Sequence, residues 1–263
     1  MLVALFTLAG LLIGSFLNVV VHRVPAGASV VDPPSACPSC GSRIRWFDNV
    51  PVVSWLALRG RCRDCTARIS VRYPLLEATT GVLFAATAAW TLDGSVGSIL
   101  LSAVLCYVVA VAVALVLIDV EHHRLPDAIV LPSIYVVVVG LAVVAAVDGA
   151  AGRLVMSVVS AAVLYAVYLV IAVVYPAGMG GGDVKLAALI GLVLGWYGIP
   201  AVIVGWFAGF VVGGIVGVVV MVTRRSGRKT MIPFGPAMIV GAAIGVLWGA
   251  ELAQIYLDVA LSG

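Results

Sequence analysis

Two long apolar segments of the chain are joined by the stretch Gly178-Met179-Gly180-Gly181-Gly182-Asp183-Val184-Lys185-Leu186. A carboxylate beside lipid is costly because its charge must leave water, so such residues are rare and commonly functional. The glycines allow backbone conformations with φ above zero and close approach of a second chain segment. The stretch therefore predicts two membrane helices joined at a boundary, with Asp183 in a site that has room for an extended backbone.

The composition is that of a polytopic membrane protein. Of the 263 residues, 63% are hydrophobic and only 10% are charged, which excludes an ordinary soluble domain. Because a helical span needs about 20 apolar residues, the sequence predicts an all-α fold with about eight transmembrane helices. The predicted spans are residues 2–21, 74–92, 98–118, 128–147, 154–175, 184–198, 201–222 and 235–257. The sixth is short because Gly198 and Pro200 end it early.

The basic residues predict the orientation. Every Lys and Arg except Arg153 falls in or at the edge of the loops after the first, third, fifth and seventh predicted spans, including Arg224, Arg225, Arg228 and Lys229. Cytoplasmic loops carry an excess of Lys and Arg, so these four loops are predicted to be cytoplasmic and both termini to lie outside. Three regions follow: a first transmembrane helix (1–22), a cytoplasmic loop (23–73) and a seven-helix membrane core (74–263).

The cytoplasmic loop contains two C-x-x-C pairs, Cys37 with Cys40 and Cys62 with Cys65. Their separation is typical of a tetrahedral four-cysteine zinc site. The alternative is two disulfides, which the reducing cytoplasm disfavours. Since four protein ligands leave no open position for water, the pattern favours a structural Zn²⁺ over a catalytic one.

Several acidic residues lie at the predicted membrane boundary. Asp119 ends the third span on the same face on which Asp183 begins the sixth, so two neighbouring spans would let these carboxylates share a water and a proton. Such a pair hydrolyses peptides by acid–base catalysis. Alternatively, Asp183 and Asp127 are helix N-caps, and Asp119 marks a span end among headgroups. Glu77 either pairs with a cation such as Arg72 or belongs to a site.

At this point the chain resembles the prepilin peptidases, which are the type IV leader peptidases and N-methyltransferases of the G-x-G-D group of intramembrane aspartyl proteases. The matching motifs are, in chain order, Gly14-Ser15-Phe16-Leu17-Asn18-Val19 with Arg23 and Pro25; Cys37 to Cys65 with Asn49-Val50-Pro51-Val52-Val53-Ser54-Trp55-Leu56 and Arg59-Gly60-Arg61-Cys62; Ile69-Ser70-Val71-Arg72-Tyr73-Pro74 with Glu77; Ile118-Asp119 through Leu125-Pro126-Asp127; Gly178 through Leu186; and Ile232-Pro233-Phe234-Gly235-Pro236.

The resemblance implies roles for individual residues. It implies that Asp119 and Asp183 are the catalytic pair and that the four loop cysteines hold a metal. Glu77 is the candidate for the methyltransferase activity. The turn residues implied to receive the substrate are Gly178, Gly180, Gly182 and Lys185.

The resemblance also implies an activity and its partners. Family members cleave the basic leader of type IV prepilins and pseudopilins after a glycine, at the cytoplasmic face of the bacterial inner membrane. Many then methylate the new N-terminus with S-adenosylmethionine. The expected partners are prepilins, pseudopilins and the lipid bilayer, with no nucleic acid, and the oligomeric state is left open. The competing interpretations are a transporter or channel and a structural component of a secretion apparatus.

Overall fold

The computed structural model describes residues 1–176, 178–224 and 233–261. Four residues from the predicted loop and motifs, Arg225, Arg228, Lys229 and Ile232, lie outside them. The helices are α1 (Leu2–Arg23), α2 (Val53–Ala57), α3 (Arg72–Thr91), α4 (Val96–His122), α5 (Asp127–Asp148), α6 (Ala151–Val174), α7 (Gly181–Tyr197), α8 (Ile199–Arg224) and α9 (Gly235–Leu261). Each long helix coincides with one of the predicted apolar segments to within a few residues, which confirms an all-α membrane protein.

Six of the described helices, α1, α4, α5, α6, α8 and α9, are long and apolar enough to cross a membrane. The other two long helices are α3, with 20 residues, and α7, with 17. α7 ends where the sequence predicted, because Gly198 has φ of 99° and Pro200 follows in the first turn of α8. The count of eight spans stays a prediction.

The chain divides into two compact units, Met1–Ala114 and Leu115–Gly263. The boundary lies inside α4. The predicted division after residue 73 stays a prediction.

In the first unit, α1 packs closely against α3. A Cβ atom at Gly14 would lie 2.7 Å from Cα of Glu77, and one at Gly10 would lie 2.9 Å from Cα of Gly81. Small residues at such positions let two helix backbones approach, which is how helices associate within lipid. This contact fixes the start of α3, which directly follows the cysteine loop in the chain.

In the second unit, α7 is the central helix. It contacts α5, α6, α8 and α9, and ten of its residues are buried, including Leu186, Leu192 and Trp196. A helix that is apolar on all sides is a buried one. α7 therefore holds Asp183, in its first turn, against the rest of this unit.

α8 and α9 pack through glycines, and one of them gives a testable prediction. A Cβ at Gly241 would lie 2.6 Å from both the Gly205 carbonyl oxygen and the Gly209 Cα, whereas a Cβ at Gly214 meets nothing within 4 Å. We expect Gly241→Ala to destabilise the protein by about 1–3 kcal/mol through overpacking. Gly214→Ala should be neutral or slightly stabilising, because alanine favours helix. Thermal unfolding of both variants in the same detergent checks this, and equal unfolding temperatures would contradict it.

Candidate active site

Asp119 lies in the last turns of α4 and is only 4% exposed. Its Oδ2 accepts a hydrogen bond from the Gly235 N–H, at 3.1 Å, and Gly235 is the first residue of α9. The amide end of a helix carries partial positive charge, which stabilises a nearby carboxylate. A Cβ at Gly235 would lie 2.7 Å from this oxygen, so the contact requires glycine.

Asp183 is half-buried in the first turn of α7. Its Oδ2 accepts a hydrogen bond from the Gly180 N–H at 3.0 Å, while Gly180 is the residue that precedes the helix. The interpretation of Asp183 as an N-cap is therefore wrong, since it occupies the third helical position and bonds back to the cap. This bond fixes the side chain relative to the glycine turn.

The glycines of this turn do not adopt the positive φ angles that the sequence allowed. Among the described residues, Gly178, Gly180, Gly181 and Gly182 are all absent from the set with left-handed backbone. Gly182 provides close approach instead, since a Cβ there would lie 2.9 Å from Cβ of Leu125, whereas a Cβ at Gly181 would meet nothing within 4 Å. Gly182 is thus explained by packing rather than by backbone conformation.

Leu125 packs between the surroundings of Asp119 and those of Asp183. It is 8% exposed, it packs on Gly182, and its Cδ2 lies 3.3 Å from where a Cβ of Gly235 would be. One face of Leu125 thus meets the residue before Asp183, and another meets the residue that binds Asp119. Leu125 therefore brings together the chain segments that hold the two carboxylates.

Tyr168 is a residue of this site that the sequence did not reveal. It lies in α6, is 3% exposed, and packs against Phe234, the residue before the Gly235 that binds Asp119. Its ring packs against Phe210 and Phe234, with centroids 5.8 and 6.5 Å away. Tyrosines in an apolar span, Tyr165 and Tyr168 in α6, were the available signal, but aromatic residues are common in cores and at membrane interfaces.

Lys185 and Asp127 form an ion pair. The Lys185 Nζ lies 2.7 and 2.6 Å from the two carboxylate oxygens of Asp127. Pro126, not Asp127, caps α5, so the N-cap interpretation of Asp127 is wrong. The pair joins the start of α5 to the first turn of α7.

The four loop cysteines converge in the first unit. The sulfurs of Cys37, Cys40, Cys62 and Cys65 all lie within 4.8 Å of one another. The Cys37 and Cys65 sulfurs are 3.8 Å apart, which is too long for a disulfide. Sulfurs bound about 2.3 Å from one zinc ion at tetrahedral corners would be roughly 3.8 Å apart. The geometry fits a metal ion with four thiolate ligands.

The two C-x-x-C turns have the same backbone structure. The Cys37 N–H donates to the Ser42 carbonyl at 2.9 Å, and the Cys62 N–H donates to the Ala67 carbonyl at 2.8 Å. In each turn the amide four residues after the first cysteine donates back to that cysteine's carbonyl, at 2.8 and 3.0 Å. The loop therefore presents two equivalent knuckles, each supplying two sulfurs.

The pKa values of these thiols are also consistent with a bound cation. Backbone N–H groups of Cys40 and Ser39 lower the pKa of Cys37 to about 6. For Cys65 the Ala67 amide lowers the pKa, but hydrogen bonds with the neighbouring thiols and burial outweigh it and raise the pKa to about 12. Four thiolates so close together repel one another, so a divalent cation is needed for all four to ionise.

Glu77 lies in α3 and is 8% exposed. Its Oε2 accepts a hydrogen bond from the Val52 N–H at 2.7 Å. Val52 has φ of 61° and ψ of −49°, and the Val53 N–H donates to the Pro51 carbonyl at 2.6 Å. This is a γ-turn with positive φ, which is strained, above all for a β-branched residue. Glu77 thus anchors the strained turn that precedes α2.

Comparison with known protein families finds a match for the N-terminal part of the chain and another for the part that follows it. Residues 8–91 match the bacterial peptidase A24 N-terminal domain family, and residues 106–218 match the type IV leader peptidase family. A "Prepilin leader peptidase/N-methyltransferase" of Pseudomonas putida is 38% identical, over 95% of this chain and 92% of that protein. This chain belongs to the type IV leader peptidase family. Proteins of the same name from Stutzerimonas stutzeri and Pseudomonas aeruginosa are each 36% identical, over 95% and 96% of this chain and 92% of each relative. No solved structure matches the chain significantly.

In this leader peptidase the site residues that the sequence predicted fall into three groups. Asp119, Asp183, Gly180 and Gly182 lie together in the second unit, with Leu125 and Tyr168 as additions that the sequence did not single out. The four cysteines cluster in the first unit. Gly178 lies against the Tyr175 ring, Lys185 is bound to Asp127, and Glu77 is bound to Val52.

Proposed function

We propose that this leader peptidase cleaves the basic leader of type IV prepilins and pseudopilins after a glycine, with Asp119 and Asp183 as its catalytic pair. One arrangement carries the proposal: Asp119 and Asp183 come from separate helices, backbone N–H groups of Gly235 and Gly180 hold them, and Leu125 packs against both Gly235 and Gly182. The name of the relatives, prepilin leader peptidase/N-methyltransferase, supports the substrate class.

The pair would hydrolyse the peptide bond by acid–base catalysis. Like charges at this range do not both ionise readily, so one carboxyl holds a proton. The ionised carboxylate accepts a proton from a water molecule as the water oxygen adds to the scissile carbonyl carbon. The protonated carboxyl donates its proton to the carbonyl oxygen. When the C–N bond breaks, the protonated carboxyl gives its proton to the leaving amine, and the other carboxylate takes a proton from a hydroxyl of the hydrated carbonyl as the product carboxyl forms, so the pair regains its starting state.

We place this chemistry at the cytoplasmic face of the bacterial inner membrane, with both termini outside. The distribution of Lys and Arg along the sequence supports this orientation. A prepilin leader is basic and precedes an apolar segment that is itself a membrane helix, so its scissile bond would lie at the boundary where α4 ends and α7 begins.

We further propose that the cysteine cluster holds a structural Zn²⁺. The arrangement of four sulfurs without an open position supports structure over catalysis. When bound, the ion would crosslink the two knuckles of the loop. Within this loop the Arg63 guanidinium donates hydrogen bonds to the Asp48 carboxylate at 2.6 to 3.1 Å. This contact holds the pKa of the Asp48 carboxyl below its usual range.

We also propose methylation of the new N-terminal amine, for which S-adenosylmethionine would supply an electrophilic methyl group. The first unit contains a cleft of about 250 Å³ lined by residues that include Arg23, Ser35 and Asn49. Small-molecule sites usually measure roughly 300–1,000 Å³, so this cleft is too small to enclose that cofactor. The support for methylation is the name shared by the relatives.

One experiment tests cleavage and methylation together. The protein is co-expressed with a type IV prepilin in cells that lack their own leader peptidase, and the pilin N-terminus is analysed by mass spectrometry. Cleavage after the glycine and a single added methyl group are expected. Unprocessed prepilin would overturn the peptidase assignment, whereas cleaved pilin without a methyl group would overturn only methylation.

Glu77 gives a separate prediction about the methylation half. Glu77→Leu removes the acceptor of the Val52 N–H and should release the strained turn, so we expect at least a tenfold loss of methylation with cleavage retained. Glu77→Gln keeps an amide oxygen in the same place and should retain methylation. The methyl content of cleaved pilin is measured for both variants. If Gln is as inactive as Leu, the carboxylate itself takes part in the transfer.

A further inference from the structure

We infer that the ion pair between Asp127 and Lys185 positions Asp183 relative to Asp119. The inference rests on the proposed peptidase function of those two aspartates. It assigns to Lys185 a role within the protein, in place of the substrate contact that the resemblance implied, and it assigns a role to Asp127. Both are positioning residues, since neither is placed on the reacting atoms.

The first argument is the geometry of the pair. The lysine ammonium contacts both oxygens of the carboxylate, at 2.6 and 2.7 Å. Two of the three N–H donors of the ammonium are therefore used within the protein. A substrate group that bound this lysine would have to do so beside a carboxylate that is already in place.

The second argument is where the pair lies along the two segments. Leu125 packs on Gly182, and Asp127 binds Lys185. These two contacts join the same two stretches of chain, and on α7 they fall on either side of Asp183. The turn after α4, which carries Asp119, is thus attached to the first turn of α7 at two points.

The third argument is that the two contacts differ in kind. Leu125 is buried, whereas the Lys185 and Asp127 side chains are 33% and 56% exposed. A partly exposed ion pair contributes little to overall stability. Displacing a catalytic group by about 1 Å, however, can cost roughly 100-fold in rate. Loss of the pair should therefore reduce catalysis far more than it reduces the unfolding temperature.

The test is a double-mutant cycle on the full chain in lipid nanodiscs, with a purified prepilin as substrate. Asp127→Asn and Lys185→Gln should each lower kcat by roughly 10- to 100-fold and leave KM within about twofold. The double variant should be no slower than the slower single variant, because either change already removes the pair. Lys185→Arg, which keeps the charge and the donors, should recover most of the activity. Asp148→Asn, at the opposite end of α5, is the matched control and should retain the wild-type kcat.

A second measurement needs no substrate, so it separates this inference from the proposed function. Hydrogen exchange of the amides in residues 178–186 should be faster in Asp127→Asn and Lys185→Gln than in the wild type, by a similar factor in both. Unchanged exchange would overturn the inference even if the enzyme cleaves normally. In the kinetic test, a raised KM with unchanged kcat in Lys185→Gln would assign that lysine to substrate binding. Additive losses in the double variant would also overturn the inference.

Discussion

Replacing Asp119 or Asp183 with asparagine is expected to lower prepilin cleavage by at least ~1,000-fold while the protein remains folded. General acid–base catalysis by a positioned side chain contributes roughly 10²–10⁴-fold, and the proposed reaction needs both members of the pair. An asparagine oxygen can still accept the hydrogen bond from Gly235 or Gly180. The substitution therefore removes the proton-transfer capacity and keeps the local contacts.

The measurement is the rate of leader removal from a purified prepilin, with the unfolding temperature recorded for each variant. Asp148→Asn makes the same chemical change at the other end of α5, where the side chain is exposed, and should cleave normally. If either Asp119→Asn or Asp183→Asn cleaved at the wild-type rate, the assignment of the catalytic pair would be wrong. A large fall in unfolding temperature would point to a structural role instead.

Replacing Cys37 with serine is expected to remove all bound zinc from the protein. The Cys37 sulfur lies 3.8 Å from that of Cys65 and within the cluster of four, and a serine hydroxyl is a poor zinc ligand. Because a structural site of this type supplies folding free energy to its own loop, residues 23–73 should also become sensitive to protease.

Metal analysis after purification without chelators gives the zinc content, with one ion per chain expected for the wild type. Cys106→Ser is a matched control, because Cys106 is buried in α4, where its thiol faces the Phe84 carbonyl at 3.9 Å. That variant should keep its zinc. A wild-type protein that contains no metal under these conditions would contradict the zinc proposal, and zinc retained in Cys37→Ser would show that the ion binds elsewhere.

Much of the fold could be predicted from the sequence because membrane helices are specified locally. An apolar segment of sufficient length forms a helix in lipid, where every backbone polar group must bond within its own segment. This is why α4, α5 and α8 lie where the apolar runs predicted them. The end of α7 at Gly198 was likewise visible, because glycine and proline act on the residues next to them.

Which polar groups contact each other was harder to predict from the sequence. Asp127 and Lys185 are far apart in the chain, and their pairing depends on how α5 packs against α7. The same holds for Glu77 and Val52, and for Tyr168 beside Asp183. For the glycines before Asp183 the sequence left two explanations open, a left-handed turn and a close contact, and the packing of Leu125 on Gly182 supports the second.

By itself, the sequence determined an all-α membrane protein, the two C-x-x-C turns, and a glycine-rich turn that carries Asp183. These features are encoded by composition, spacing and local backbone preference. Only the tertiary structure decided that Asp183 bonds back to Gly180, that Leu125 fits between Gly182 and Gly235, and that Lys185 is held by Asp127. The physical reason is that hydropathy specifies which residues leave water, whereas their partners are chosen by the packing of helices that are distant in sequence.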